Sequence, residues 1–169
     1  MFDVVTADLA DAAAAPLLEG LRQEYTSRYG SLAAKEFLHP QGHFTAAQGG
    51  ALLLIREDGR TVAGGALRRY DPAFAAPNVV GPDFPAAHTS EFKRIWTDSG
   101  YRRRGLGRRV LHELEQHAAG LGYRRVFLTT GPLQPEAVAL YHAAGYTELP
   151  DLGAAERGFT VHPFVKDLS

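Results

Sequence analysis

The stretch Arg102-Arg103-Arg104-Gly105-Leu106-Gly107-Arg108-Arg109 puts five arginines where a helix should reject them. From Leu106 onward, Leu106, Val110, Leu114, Ala118 and Leu121 recur at helical spacing, so a helix opens at or near Gly105. The arginines crowd the positive end of its macrodipole, where each cation costs about 0.3–1 kcal/mol. An anion bound at that spot reverses the sign of the cost. Backbone N–H groups at a helix start, with glycines permitting close approach, make a phosphate cradle. We read the run as a pyrophosphate-binding turn; the alternative is a solvated basic helix start.

The flanking sequence gives the turn a setting. His88 to Asp98 is strand-like and runs into the loop Ser99-Gly100-Tyr101. Beyond the helix, Arg124 to Thr130 has a buried-strand pattern. Pro135 to Ala144 then reads as a second helix, with proline at an early position and Gly145 as its stop. A strand, an Arg/Gly loop and an amphipathic helix in this order resemble the acyl-CoA-binding core of the GNAT superfamily of N-acetyltransferases. That family's Gln/Arg-x-x-Gly-x-Gly/Ala motif is met by Arg102-Arg103-Arg104-Gly105-Leu106-Gly107. The segment Ala137-Val138-Ala139-Leu140-Tyr141-His142-Ala143-Ala144-Gly145-Tyr146 is similar to its A-x-x-L-Y-x-x-x-G-F/Y motif. The resemblance is firm from Thr89 to Pro150 and looser over residues 1–70 and the tail.

Composition sets the bounds. A chain of 169 residues is read as one domain, 1–169, able to bury about two-thirds of its unfolded surface. A net charge of −1 makes the arginines a local patch rather than a basic coat, against a nucleic-acid partner. No apolar run approaches the length of a membrane span, and Met1-Phe2-Asp3 lacks a signal peptide's start, so no membrane partner and a cytoplasmic location are expected. The sequence contains no cysteine, which excludes disulfides, Cys-ligated metals and an acyl-cysteine intermediate. There is no G-x-S-x-G elbow and no P-loop motif.

Along the chain, Phe2 to Thr6 reads as a strand. Pro16 to Gly30 reads as a helix, with Leu17, Leu18, Leu21 and Tyr25 at helical spacing. Ser31 to Leu38 suggests a second short helix. Ala51 to Arg56 and Thr61 to Tyr70 suggest a hairpin turning at Glu57-Asp58-Gly59-Arg60. Asp71 to Pro85, with four prolines, is a long connection, either a lid or contact surface or disordered. The tail Gly158 to Leu168 suggests a last strand, which Pro163 would confine to an edge or bulge. The resemblance implies an α/β fold with a mixed, twisted central sheet of about six to seven strands flanked by helices.

It also implies an acyltransferase moving the acetyl group of acetyl-CoA directly to an amine, a small molecule by expectation, in a ternary complex. Backbone N–H groups of Arg104, Gly105, Leu106, Gly107 and Arg108 would hold the pyrophosphate, with Arg102 and Arg103 beside them and outward arginines for the 3′-phosphate. By resemblance, Ile95, Trp96 and Thr97 at the end of the fourth strand offer backbone to the pantetheine amides, opposite Thr129 and Thr130. Trp96 reads equally as a core aromatic.

A primary amine with pKa near ~10.4 needs about 4–5 kcal/mol to free its lone pair at neutral pH, so a general base is expected. Glu91 lies fourteen residues before Gly105, the spacing of family members that use a strand glutamate. Strand alternation would put Glu91, Lys93, Ile95 and Thr97 on one face. Against the base reading stands a surface ion pair of Glu91 with Arg94 or Lys93. Tyr141, by resemblance, is the general acid for the departing thiolate; packing beside Ala137, Leu140 and Ala144 is the alternative.

No metal is expected. His112 and His117 stand five apart on one helix, and His39 and His43 flank Pro40 without a clear carboxylate partner. Tyr25, Arg28, Tyr29, His39, His43 and Phe44 are candidates for an acceptor pocket, Arg28 hinting at an acceptor carboxylate or serving as an exposed helix arginine. Other readings are a non-catalytic acyl-CoA-binding sensor and a dinucleotide-binding domain, the latter opposed by the missing third glycine after Gly105-Leu106-Gly107. A homodimer is left open.

Overall fold

The computed structural model describes residues 1–30, 41–73 and 79–168. Seven strands form one sheet: β1 (Phe2–Ala7), β2 (Ala51–Glu57), β3 (Arg60–Arg69), β4 (Thr89–Thr97), β5 (Arg125–Thr130), β6 (Thr147–Glu148) and β7 (His162–Asp167). Their order is β1-β2-β3-β4-β5-β7-β6, antiparallel throughout except for the parallel pair β4–β5. Among the described residues the α-helices are α1 (Ala15–Tyr29), α2 (Leu106–Gly120), α3 (Pro135–Ala143) and α4 (Ala154–Arg157). The expected helix over Ser31 to Leu38 lies outside the described residues. Among the described residues no helix is long and apolar enough to cross a membrane.

The β2–β3 hairpin turns on Asp58 and Gly59, both at positive φ (49° and 83°), the two-residue geometry that matches strand twist. Residues 51–55 are buried without a break because both sheet faces are covered. Leu53, Ile55, Leu67, Phe92, Val126 and Leu128 meet Val110, Leu111 and Leu114 of α2 on one face. Leu52, Leu54, Ala66 and Trp96 meet Leu17 and Leu21 of α1 on the other. Helix α1 therefore rests on two fully buried leucines, each contributing about 1.5–3 kcal/mol. Contacts elsewhere along α1 carry correspondingly more weight.

Two expectations are corrected. The last strand is not at an edge: β7 lies between β5 and β6. Pro163 is tolerated because its carbonyl, and hence its nitrogen, faces the β6 side, where β6 has already ended and only the Leu149 N–H reaches it (2.8 Å). The alternation expected along β4 fails as well. Gly64 pairs with Trp96 but Ala66 pairs with Lys93, so Gly65 faces two residues, and Arg94 takes φ 59°. This β-bulge moves everything after it by one position. Glu91, Lys93 and Trp96 share the α1 face, while Ile95 joins Phe92 on the α2 face.

The described part of the 71–85 connection is packed down. Val79 is buried, and Phe84 packs edge-on against Tyr70 and tilted against Phe127, each at 5.2 Å between ring centroids.

Candidate active site

The parallel pairing of β4 with β5 stops at Glu91–Phe127, whereas β4 continues against β3 to Thr97. The two strands part beyond Glu91. Among the described residues, the β5-facing backbone groups of residues 92–97 thus lack a ladder partner and border a cleft of about 1300 Å³. Ligand pockets commonly measure about 300–1,000 Å³, so this one has room for two substrates. An extended chain of amides can take the place of the missing strand.

One wall is the turn before α2. Asp98 starts it, accepting the Gly100 N–H at 2.8 Å. Arg103 (φ 64°) and Gly105 (φ 77°) bend it through left-handed backbone. The first rung of α2 runs from the Arg109 N–H to the Gly105 carbonyl (3.1 Å), leaving the preceding N–H groups for an outside acceptor. Among the described residues no side chain caps this helix and its first turn holds no acid. An uncapped helix start fringed with arginines fits the phosphates of an acyl-CoA. No described atom lies within 4 Å of where a Gly105 Cβ would stand, so the approach is open.

Most of the residues expected to hold the cofactor line the cleft: Ile95, Trp96, Thr97, Arg102, Arg103, Gly105, Leu106, Gly107, Arg108 and Thr130. Arg104 does not, its guanidinium lying 4.9 Å from the centre of the Tyr101 ring. Trp96 is both core and cleft, buried under α1 with an edge on the cavity. The Thr130 hydroxyl donates to Gln134 Oε1 (3.1 Å).

Glu91 and Tyr141 also border the cleft. Glu91 does not pair with Arg94 or Lys93 at the surface, as the alternative reading had it. Its partner is Arg68 on β3, directly opposite in register, and both side chains are 2% exposed. Nε and Nη2 of Arg68 each stand 2.7 Å from Oε1 of Glu91. Tyr141 packs edge-on against Phe164 (5.4 Å). Burial first, and the charge of Glu24 second, push its phenol well above the ordinary tyrosine range. It therefore stays protonated at neutral pH.

The end of α1 closes one side. Arg28 binds the Glu136 carboxylate and donates to the Leu133 carbonyl (2.5 Å). The Tyr29 hydroxyl accepts from the Leu133 N–H and donates to Gln134 Oε1, both at 3.2 Å. Gln134 Oε1 also takes the Gly131 N–H (3.0 Å). Of the acceptor-pocket candidates, Tyr25, Arg28 and Tyr29 border the cleft. Arg28 is a strut across it rather than an exposed helix arginine. Phe44 is core, with the guanidinium groups of Arg68 (5.7 Å) and Arg94 (5.4 Å) over its ring. His43 lines a separate hollow of about 50 Å³, and His39 lies outside the described residues. Among the described residues no three metal-ligating side chains gather. Arg68, Glu24, Gln134 and Glu136 escaped the sequence reading. For Gln134 a signal existed, since it precedes the proline that opens α3.

Residues 15–146 match the acetyltransferase (GNAT) family. The human protein N-acetyltransferase 8 is 36% identical over 52 residues, 31% of this chain but only 23% of that protein's length. A putative acyl-CoA N-acyltransferase from Klebsiella pneumoniae superposes over 100% of this chain and 99% of its own, with TM-score 0.71 and 22% identity. A GNAT-family acetyltransferase from Staphylococcus aureus covers 100% of both chains (TM-score 0.74, 16% identity). A PaiA N-acetyltransferase from Thermoplasma acidophilum, solved in complex with coenzyme A, covers 99% of both (TM-score 0.71, 13% identity). With the family match spanning most of its length, the chain belongs to the acetyltransferase (GNAT) family.

Proposed function

We propose that this protein is an N-acetyltransferase that moves the acetyl group of acetyl-CoA directly to a small-molecule amine in a ternary complex. The observation that carries the reading is one cleft bordered by the arginine-rich turn, Glu91 and Tyr141 together. The strut formed by Arg28 and Tyr29 over that cleft favours a slim acceptor over a folded protein. With no cysteine in the chain, the acceptor attacks the thioester itself. The amine lone pair forms the new C–N bond, and the C–S bond breaks. The ammonium proton passes to Glu91, directly or through water, and the thiolate takes its proton from Tyr141.

The test is incubation with acetyl-CoA and a mixed panel of amino acids, polyamines, aminoglycosides and peptides, read as acetyl mass additions. Binding without transfer to any amine would return the protein to the sensor reading. Gly105→Ile provides the cofactor control. A β-branched residue at φ 77° costs roughly 1–2 kcal/mol, and the space for its side chain is open. We expect a folded variant in which acetyl-CoA no longer raises the melting temperature. A normal shift would put the pyrophosphate elsewhere.

Tyr141→Phe is expected to leave acetyl-CoA affinity nearly intact and to lower kcat by about 10²-fold, because the hydroxyl matters as sulfur becomes thiolate. Steady-state kinetics with a titration of acetyl-CoA binding separates the two quantities. Equal kcat in the variant would make Tyr141 a packing residue.

A further inference from the structure

We propose that Glu24 is the residue that recognises the cationic head of the acceptor amine, and that Arg102 holds it in reserve until acyl-CoA phosphate draws the arginine away. The proposal rests on the amine-acetyltransferase reading for its ligand, though not for the exchange itself.

Glu24 stands on the cleft-facing side of α1, one turn beyond the Gly20 backbone that rests on Trp96. Its Oε2 is 3.5 Å from Nη2 of Arg102, across the mouth of the cleft from the phosphate turn. Its Oε1 is 3.4 Å from Nη2 of Arg28. Both contacts are long, and the Arg102 side chain is 48% exposed, so neither resembles the buried 2.7 Å pair of Arg68 with Glu91. Loose pairs of this exposure contribute little and exchange readily. Phosphate offers Arg102 a better partner, doubly anionic and already sought by the adjacent helix start.

Removal of Arg102 leaves an imbalance. Arg28 then serves two carboxylates, Glu24 and Glu136, and its shorter contacts are with Glu136 and the Leu133 carbonyl. Glu24 then keeps its looser contact with Arg28, which it shares with Glu136. Glu24 also bears on Tyr141, whose phenol responds to its charge. A carboxylate so placed attracts an ammonium group toward the side of the cleft where the thiolate's proton donor lies. Acyl-CoA binding would therefore create the amine site, and linkage makes the effect reciprocal.

The experiment compares wild type, Glu24→Gln and Glu24→Asp. Calorimetric titration with coenzyme A alone is the first readout, and the KM and kcat of an amine acetylated in the panel are the second. Glu24→Gln keeps the size and hydrogen-bonding capacity of the side chain, and its melting temperature verifies folding. With Arg102 released from competition, coenzyme A is expected to bind Glu24→Gln more tightly than wild type. A merely structural residue would leave that affinity unchanged or lower it. The amine KM is expected to rise about tenfold or more, as for loss of a charge-assisted contact. Glu24→Asp should recover part of the KM. An active enzyme whose Glu24→Gln variant keeps both the wild-type KM and the wild-type coenzyme A affinity would overturn the proposal. So would weaker coenzyme A binding in a folded Glu24→Gln. If no amine is acetylated yet Glu24→Gln still tightens coenzyme A, the exchange stands and the amine-acetyltransferase reading falls.

Discussion

Glu91→Gln is expected to lower kcat by about 10²–10⁴-fold and to destabilise the fold at the same time. The second effect follows from the 2.7 Å contacts with Arg68, a guanidinium 2% exposed that loses the carboxylate standing directly opposite it. Breaking a buried pair from one side typically costs about 3–5 kcal/mol, and Gln's retained hydrogen bond puts this case toward the lower end. A loss of activity alone would thus be ambiguous. Arg68→Met combined with Glu91→Gln removes both halves of the buried pair, and urea melts should show part of the stability recovered while kcat stays low. The pH profile gives a further check. Without a base the rate should follow the free amine and climb steeply toward the amine's own pKa, near ~10.4, while wild type rises less steeply. If the single variant melts early yet keeps its kcat, Glu91 is a structural partner of Arg68 and proton removal falls to another group.

The sequence disclosed the elements whose causes are local. Asp58-Gly59 marks its own hairpin because the turn needs two positive φ values, and Gly105 marks the start of α2 for a related reason. The arginine turn, Glu91 and Tyr141 were all legible by number, and all but Arg104 of the expected residues border the same cleft. The bulge in β4 was not legible. It takes its positive φ at Arg94, a residue without turn preference, and it arises from opposing Gly65 rather than from its own segment. The position of β7 was hidden likewise, since Pro163 is harmless only because β6 ends before reaching it. Contacts such as Arg28 with Glu136 join residues more than a hundred positions apart, and single-sequence periodicity has no access to them. The arginine turn, Glu91 and Tyr141 were visible in local motifs, whereas Glu24 and the Arg28–Tyr29 contacts beside it come from tertiary packing.

Gly20→Val is expected to unseat α1, and Gly20→Ala separates the responsible forces. In an exposed helix interior, Gly→Ala stabilises by about 1 kcal/mol through propensity alone. Here an added Cβ would lie 2.3 Å from Nε1 and 2.5 Å from Cε2 of Trp96. The indole is a rigid plate, 7% exposed and wedged between α1 and β4, so it cannot swing clear as a flexible side chain would. Overpacking of this kind costs about 1–3 kcal/mol, which outweighs the propensity gain. Gly20→Ala should therefore be neutral to moderately destabilising, and Gly20→Val clearly worse, since it adds β-branching to the clash. At about 2–4 °C per kcal/mol for a chain of this size, thermal melts resolve the difference. The functional consequence follows from the same helix. Glu24, Arg28 and Tyr29 reach the cleft only because α1 lies close on Trp96, so a lifted α1 should raise the amine KM before it disturbs coenzyme A binding at the α2 turn. A Gly20→Ala variant stabilised by the full helix increment would mean that α1 does not rest on Trp96, and the placement of Glu24 at the cleft would fall with it.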